Sequence, residues 1–285
     1  MTLFPPDFQF SQRNLQDYVD CRRRFQLRYL DHLAWPAVET EPLIEHEQHL
    51  QAGAAFHRLI QRYLIGVPVE PLSVIVESSG SNKSDLKRWW HNFLQHAGVA
   101  PAENTLVEGV LSARIRSYRL LAKYDLIRWE VNNSHTRVTI YDWKTSQRPP
   151  SRQWLAERLQ SRIYPYLLVQ AGSPIIGVEN LIPEQIEMVY WFAEQPQEPH
   201  RFAYNADQYQ QDHDYLNSLV AEVEKLIAGD YHLTSDEAKC RFCTYRSLCD
   251  RGITAGLFDP LEIDQEGEEV YDIDLDFDQI AEIEF

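Results

Sequence analysis

Residues 119–144 read RLLAKYDLIRWEVNNSHTRVTIYDWK, and this stretch decides the fold. Apolar, β-branched and aromatic residues crowd two runs, Arg119 to Trp129 and Arg137 to Trp143, and the turn-rich Asn132, Asn133 and Ser134 separate them. Two such runs with so short a break predict neighbouring strands of a meander. Successive side chains of a strand point to opposite faces, so Asp142 and Lys144 share one face of the sheet. Asp125, in the adjacent strand, brings a second carboxylate within reach.

Outward from this pair, Thr105 to Val110 is a further strand, and Glu108 at its start is another acid near the same place. Upstream, a helix is expected from Ser11, a plausible N-cap, through Leu15, Val19 and Phe25 to Leu30. A second runs from about Ile44 to Tyr63, ended by Gly66 and Pro68, and residues 71–98 add more helix with Trp89, Trp90, Phe93 and Leu94 as its packing stripe. Downstream come a helix from Ser151 to Ala171, strands at Ile186 to Trp191 and Pro199 to Tyr204, and a helix from Asp207 to Ala228. This order predicts an α/β (α+β) fold, a central mixed sheet flanked by helices. Residues 1–261 are expected to form one domain with a helical insert at about 44–98, followed by a tail over 262–285.

A hydrophobic fraction of 44% with seven tryptophans excludes disorder of the whole chain. No run approaches the roughly 18 apolar residues of a membrane span, and Met1 to Phe10 lacks a basic region followed by an apolar stretch. A cytoplasmic protein without a membrane partner is therefore expected. The net charge of −16 argues against nucleic acid, but eleven of the 43 acidic residues lie in 262–285 without one lysine or arginine. The body is only mildly acidic, and Arg13, Arg22, Arg23, Arg24 and Arg28 form a local basic patch, suited to phosphates or to a solvated helix face.

Two carboxylates with a lysine are what a magnesium- or manganese-dependent phosphodiesterase requires. Hard oxygen ligands hold the ion, the ion activates water and polarises the phosphate, and the lysine offsets developing charge. His57 can add a nitrogen ligand from the preceding helix. Singly, each residue is commonplace: a strand-end aspartate, a helix histidine, a frequent D-x-K triplet. The joint pattern carries the inference. Gln160 and Tyr164, four apart on the next helix, share a face and either serve the metal-site lysine or a DNA strand, or leave Tyr164 in a core with Leu167 and Leu168. Arg158 and Arg162 lie on another part of that helix.

Cys240, Cys243 and Cys249 form C-x2-C-x5-C, with Cys21 more than 200 residues upstream. In a reducing compartment such a set suits zinc or an iron–sulfur cluster, and the spacing does not choose between them. Cys21 joins only if the fold returns segment 236–252 to segment 11–30, which would clasp the two ends of the domain.

At this point the chain resembles the PD-(D/E)XK nuclease superfamily, in particular the RecB-like group that includes the AddB nuclease domain and the CRISPR-associated iron–sulfur exonucleases. Phe10-Ser11, Leu15, Tyr18, Cys21, Phe25 and Tyr29-Leu30 resemble that group's S-x-x-x-L-x-x-Y-x-x-C-P-x-x-F opening. Gly53 with Phe56-His57 resembles its G-x-x-x-H segment, Tyr124-Asp125-Leu126-Ile127 its G-x-x-D strand, and Asp142-Trp143-Lys144-Thr145 its D-x-K-T strand. Gln160 with Tyr164 resembles its Q-x-x-x-Y helix, and the three late cysteines its trailing ligands. Arg22 replaces the usual proline and Ala122 the usual glycine, and neither is a proposed ligand.

The resemblance implies a restriction-endonuclease-like sheet whose N- and C-terminal segments join at a four-cysteine [4Fe-4S] cluster on Cys21, Cys240, Cys243 and Cys249. It further implies Mg2+ or Mn2+ on His57, Asp125 and Asp142, with Asp125, Asp142, Lys144, Gln160 and Tyr164 catalytic. The implied activity is an exonuclease acting on DNA, single-stranded or with free ends, in repair, recombination or defence. Two other classes compete: a DNA-binding subunit that retains the fold without cutting, and an interaction protein whose acidic tail docks on a basic partner or occupies its own cleft.

Overall fold

The structure, a computed structural model, describes residues 8–33, 41–78, 84–132, 135–226, 231–241 and 243–252. The acidic tail 262–285 and the Asn133-Ser134 turn lie outside the described residues, as do the tail's expected contacts.

Ser11 opens the first helix as expected, but it also ends an unforeseen strand. β1 (Gln9–Ser11) leads into α1 (Gln12–Asp20), where the Ser11 hydroxyl accepts the Asn14 amide at 3.3 Å and Asn14 Oδ1 accepts the Ser11 amide at 2.9 Å. Extended backbone at Cys21 (φ −162°) stops α1, and α2 (Arg22–Phe25) continues into a wider turn over Gln26–Leu30. The insert is three helices: α3 (Glu41–Leu64), α4 (Val69–Ser78) and α5 (Ser84–His96). Gly66 joins the first two at φ 100°, backbone that other residues rarely adopt.

β2 (Thr105–Ile115), β3 (Tyr118–Asn132) and β4 (His135–Lys144) are the expected meander. Then follow α6 (Arg152–Glu157), α7 (Leu159–Ala171), α8 (Ser173–Ile176), β5 (Ile186–Phe192), β6 (His200–Ala203) and α9 (Ala206–Lys225). The six-stranded sheet is mixed. β2–β3, β3–β4 and β5–β6 pair antiparallel, while β4 and β5 run parallel through the α6–α8 crossover. No described helix is long and apolar enough to cross a membrane.

β3 organises the sheet unevenly. Along one edge β2 accompanies it from Tyr118 to Arg128; along the other, β1 pairs only with Arg119–Leu121 and β4 only from Leu126 onward. Residues 122–125 therefore face a slot between two partners. The buried pattern changes there too: Leu120, Ala122 and Tyr124 face the core formed with α1, α7 and α9, whereas Leu126 faces the aromatic core of the insert. Strict alternation would keep Tyr124 and Leu126 on one side, so the strand turns over at Asp125. Opposite it, the β2 ladder skips one position, Glu108, at φ 53°.

The two cores serve different ends. Phe10, Leu15, Phe25, Leu120, Ile140, Ile163, Leu167, Met188, Tyr190 and Leu216 bind the sheet to α1, α7 and α9. Phe56, Ile60, Trp89, Trp90 and Phe93 pack on Trp143 and Trp191 from the other face, fixing the insert over the strand ends.

The N- and C-terminal segments do meet, through polar contacts. Buried Asp20 accepts Gln16 Nε2 at 3.2 Å and pairs with Arg24 at 3.3 Å, Lys239 at 3.0 Å and Arg158 at 3.7 Å. Asp17 binds Arg24 and Arg28, each at 2.8 Å. Tyr245 donates to the Leu33 carbonyl at 2.9 Å, the Arg23 amide donates to the His232 carbonyl at 3.2 Å, and Glu222 takes both Tyr18 and Arg22.

Candidate metal centre

The slot on β3 is where the acids gather. In the β2–β3 register Glu108 stands opposite Asp125, between the pairs Val107–Leu126 and Gly109–Tyr124. On the other side, Asp125 and Asp142 lie one step beyond the last β3–β4 pair, Leu126–Tyr141. Three carboxylates thus form a row across three adjacent strands. The ladder is interrupted on both sides of Asp125, and the Trp143 amide donates instead to Asp125 Oδ2 at 2.8 Å.

α3 brings His57 to this row, its Nδ1 3.3 Å from Asp125 Oδ1. Donor atoms of His57, Glu108 and Asp125 all lie within 4.8 Å of one another. One imidazole nitrogen and two carboxylates, half-buried but not sealed, fit a hard divalent ion. Electrostatics agree. Burial pulls the imidazole down, yet Asp125, then Glu108 and Asp142, outweigh it and hold His57 up to about 9. Burial likewise opposes ionisation of Asp125, but His57, the Trp143 amide and Lys144 bring it below the ordinary carboxylate range. For Glu108, burial and the Asp125 charge prevail over Lys123 and raise it.

Of the ligands expected from sequence, His57 and Asp125 are brought together, with Glu108 as the third member. Asp142 adjoins the group but is otherwise engaged: Lys144 Nζ is 2.9 Å from Oδ2, and Gln160 Nε2 donates to Oδ1 at 2.5 Å. Lys144 lies 5.8 Å from the Tyr190 ring centre, so its ammonium is held by a carboxylate and an aromatic face. Tyr164 does not accompany Gln160. Its ring packs on Tyr124 at 4.8 Å and its carbonyl accepts the Tyr124 hydroxyl at 2.8 Å, within the core.

Helix α3 supplies more than a ligand. His49, Gly53 and His57, four residues apart, lie along one face. A β-carbon on Gly53 would stand 3.1 Å from Thr145 Oγ1, and His49 Nε2 lies 3.1 Å from the Thr145 carbonyl oxygen. The helix thereby fixes both the metal-side histidine and the strand end that carries Asp142 and Lys144. Sequence reasoning missed His49 and Lys123, which pairs closely with Glu108. Glu108 was already read as an acid near the site, and the β2–β3 register places it opposite Asp125; nothing local marked His49.

The expectation of a [4Fe-4S] cofactor is corrected. Cys21, Cys240, Cys243 and Cys249 are half-buried free thiols that border one cavity with Arg24, Lys239 and Arg246. Among the described residues the donors close enough to share an ion are those of His57, Glu108 and Asp125, and the four cysteines do not form such a group. Burial raises the Cys240 and Cys249 thiols and pushes Cys243 up to about 11. The Asp20–Lys239 ion pair and the Tyr245–Leu33 and Arg23–His232 hydrogen bonds, rather than sulfur ligation, join the terminal segments.

A putative exonuclease from Eubacterium rectale is 8% identical, with 80% of this chain and 85% of that chain covered and a TM-score of 0.46. The protein SSO0001 is 12% identical, with 85% of each chain covered and a TM-score of 0.38. None of the curated proteins matches. The family match is extensive: residues 9–250 fit the PD-(D/E)XK nuclease superfamily, a span from β1 to beyond the last cysteine. The chain belongs to the PD-(D/E)XK nuclease superfamily.

Proposed function

We propose that the chain is a Mg2+- or Mn2+-dependent deoxyribonuclease that hydrolyses phosphodiester bonds. The observation that carries this reading is the convergence of His57, Glu108 and Asp125 beside the Lys144–Asp142–Gln160 chain. Simple DNA binding needs cations but not three acids in a row.

His57, Glu108 and Asp125 would hold the ion, with Asp142 at the edge of the group. When bound, that ion supplies a polarised phosphate oxygen and a water of lowered pKa. The chain's own residues do the rest. Lys144, paired with Asp142, would face the anionic phosphate and stabilise the charge that grows on it. Gln160 keeps Asp142 from rotating away by donating to its second oxygen. The Trp143 amide fixes Asp125 in the same way. A substrate with single strands or free ends, and exonucleolytic action, follow from the family resemblance alone.

Cleavage of end-labelled single- and double-stranded DNA with Mg2+ or Mn2+ tests the proposal. Lys144→Ala and Asp142→Asn should each lower the rate at least about a thousandfold, with circular dichroism unchanged. Near-wild-type rates in either variant would overturn it.

A further inference from the structure

The acid row has a lysine on each side. Lys144 lies two residues after Asp142 on β4, and Lys123 two before Asp125 on antiparallel β3. Each is paired with a carboxylate of the row, Lys144 with Asp142 and Lys123 with Glu108. Their surroundings differ. The Lys144 and Asp142 side chains are 9% and 5% exposed, whereas Lys123 and Glu108 are 31% and 14% exposed. Lys144 is enclosed; Lys123 opens onto solvent at the slot between β1 and β4.

Glu108 is also the residue that the backbone turns out of register. At φ 53° it occupies left-handed space that a glutamate seldom takes, within a strand whose neighbours on both sides remain paired. The consequence is a carboxylate aimed at two cations in turn. One of its oxygens belongs to the His57–Asp125 group, and it also holds the Lys123 ammonium. A divalent ion in that group and an ammonium on the same carboxylate repel each other.

We propose that Lys123 is an exchangeable counter-ion of the metal centre. It neutralises Glu108 while the ion is absent, is displaced when the ion binds, and then grips a DNA phosphate next to the scissile one. Metal loading is thereby coupled to substrate binding: the ammonium that guards the empty centre becomes a contact of the loaded one. Lys123 is a positioning residue here, and Lys144 keeps its own place at the reacting phosphate. The inference rests on the metal-nuclease reading of the site.

The test uses the full chain and two measurements that do not involve cleavage. Mn2+ binding is followed by the electron paramagnetic resonance of free Mn2+, and DNA binding in Ca2+ by anisotropy of a labelled strand over a range of salt. Lys123→Met should bind Mn2+ about tenfold tighter without DNA. It should bind DNA about fivefold to tenfold more weakly in Ca2+, with the log–log salt slope reduced by about one. Lys123→Arg should restore DNA affinity and salt slope, and Glu108→Gln should weaken Mn2+ in either background. Unchanged or weaker Mn2+ binding by Lys123→Met overturns the exchange, and an unchanged salt slope overturns the phosphate contact. A wild-type chain that binds no Mn2+ overturns the metal-nuclease reading, and the exchange with it.

Discussion

At His57, burial and charge pull in opposite directions, and charge wins. The folded, metal-free imidazole titrates at about 9, against an ordinary value of about 6.5. A raised folded value means that the protonated form is favoured by folding. That stability is fully present below about pH 6.5 and is lost as pH rises through about 9. Denaturant melts of the chelator-treated protein should therefore lose up to about 3 kcal/mol between these limits. His57→Gln should flatten the curve. A slope identical to wild type in that variant would show that some other group carries it. Strand alternation and helix spacing put Asp125, Asp142, Lys144 and Gln160 in one neighbourhood, and the structure places them there. Spacing four from Gln160 gave Tyr164 a shared helix face and left a core place open for it, but did not show that Gln160 would reach Asp142 while the Tyr164 ring packed on Tyr124.

Among the elements, α3 and β3 hold the geometry. Gly53 is open to a small substitution but not to a large one. Ala gains helix propensity of about 1 kcal/mol against a β-carbon 3.1 Å from Thr145 Oγ1, so Gly53→Ala should leave the melting midpoint within a few degrees. Gly53→Leu should push α3 from the strand end and cost about 2 kcal/mol or more, read in the same melts. His49→Leu removes the contact to the Thr145 carbonyl oxygen; it should lower kcat severalfold with Mn2+ affinity unchanged, because the ligands lie farther along the helix. The meander was readable from alternation, and the insert from its tryptophans. β1 was not, since three residues give no periodicity and its partner, Arg119–Leu121, lies a hundred residues away in sequence. The turnover of β3 at Asp125 also escaped, because alternation is assumed in order to read a strand at all.

Over the whole molecule, the first helix and the last described segment are held together in part by one buried carboxylate on α1, Asp20. The return of segment 236–252 to segment 11–30 was anticipated from the cysteines, but the sequence did not show that Asp20 would serve as the hub. Asp20→Ala removes the carboxylate shared by Arg24, Arg158 and Lys239 at a buried position and should cost about 3 kcal/mol. Lys239→Met, at a 37% exposed side chain, should cost less than about 1 kcal/mol. Guanidinium titrations of the two variants separate these outcomes, and equal losses would contradict the hub. The lysines flanking the acid row have a last consequence, for biogenesis. With Lys123, Lys144 and an imidazolium beside three acids, the nascent chain carries its own electrostatic ballast. The chain should therefore reach its native shape in a chelating buffer, with circular dichroism the same as after Mn2+ is added, so that divalent ions serve as an ignition key rather than as a scaffold.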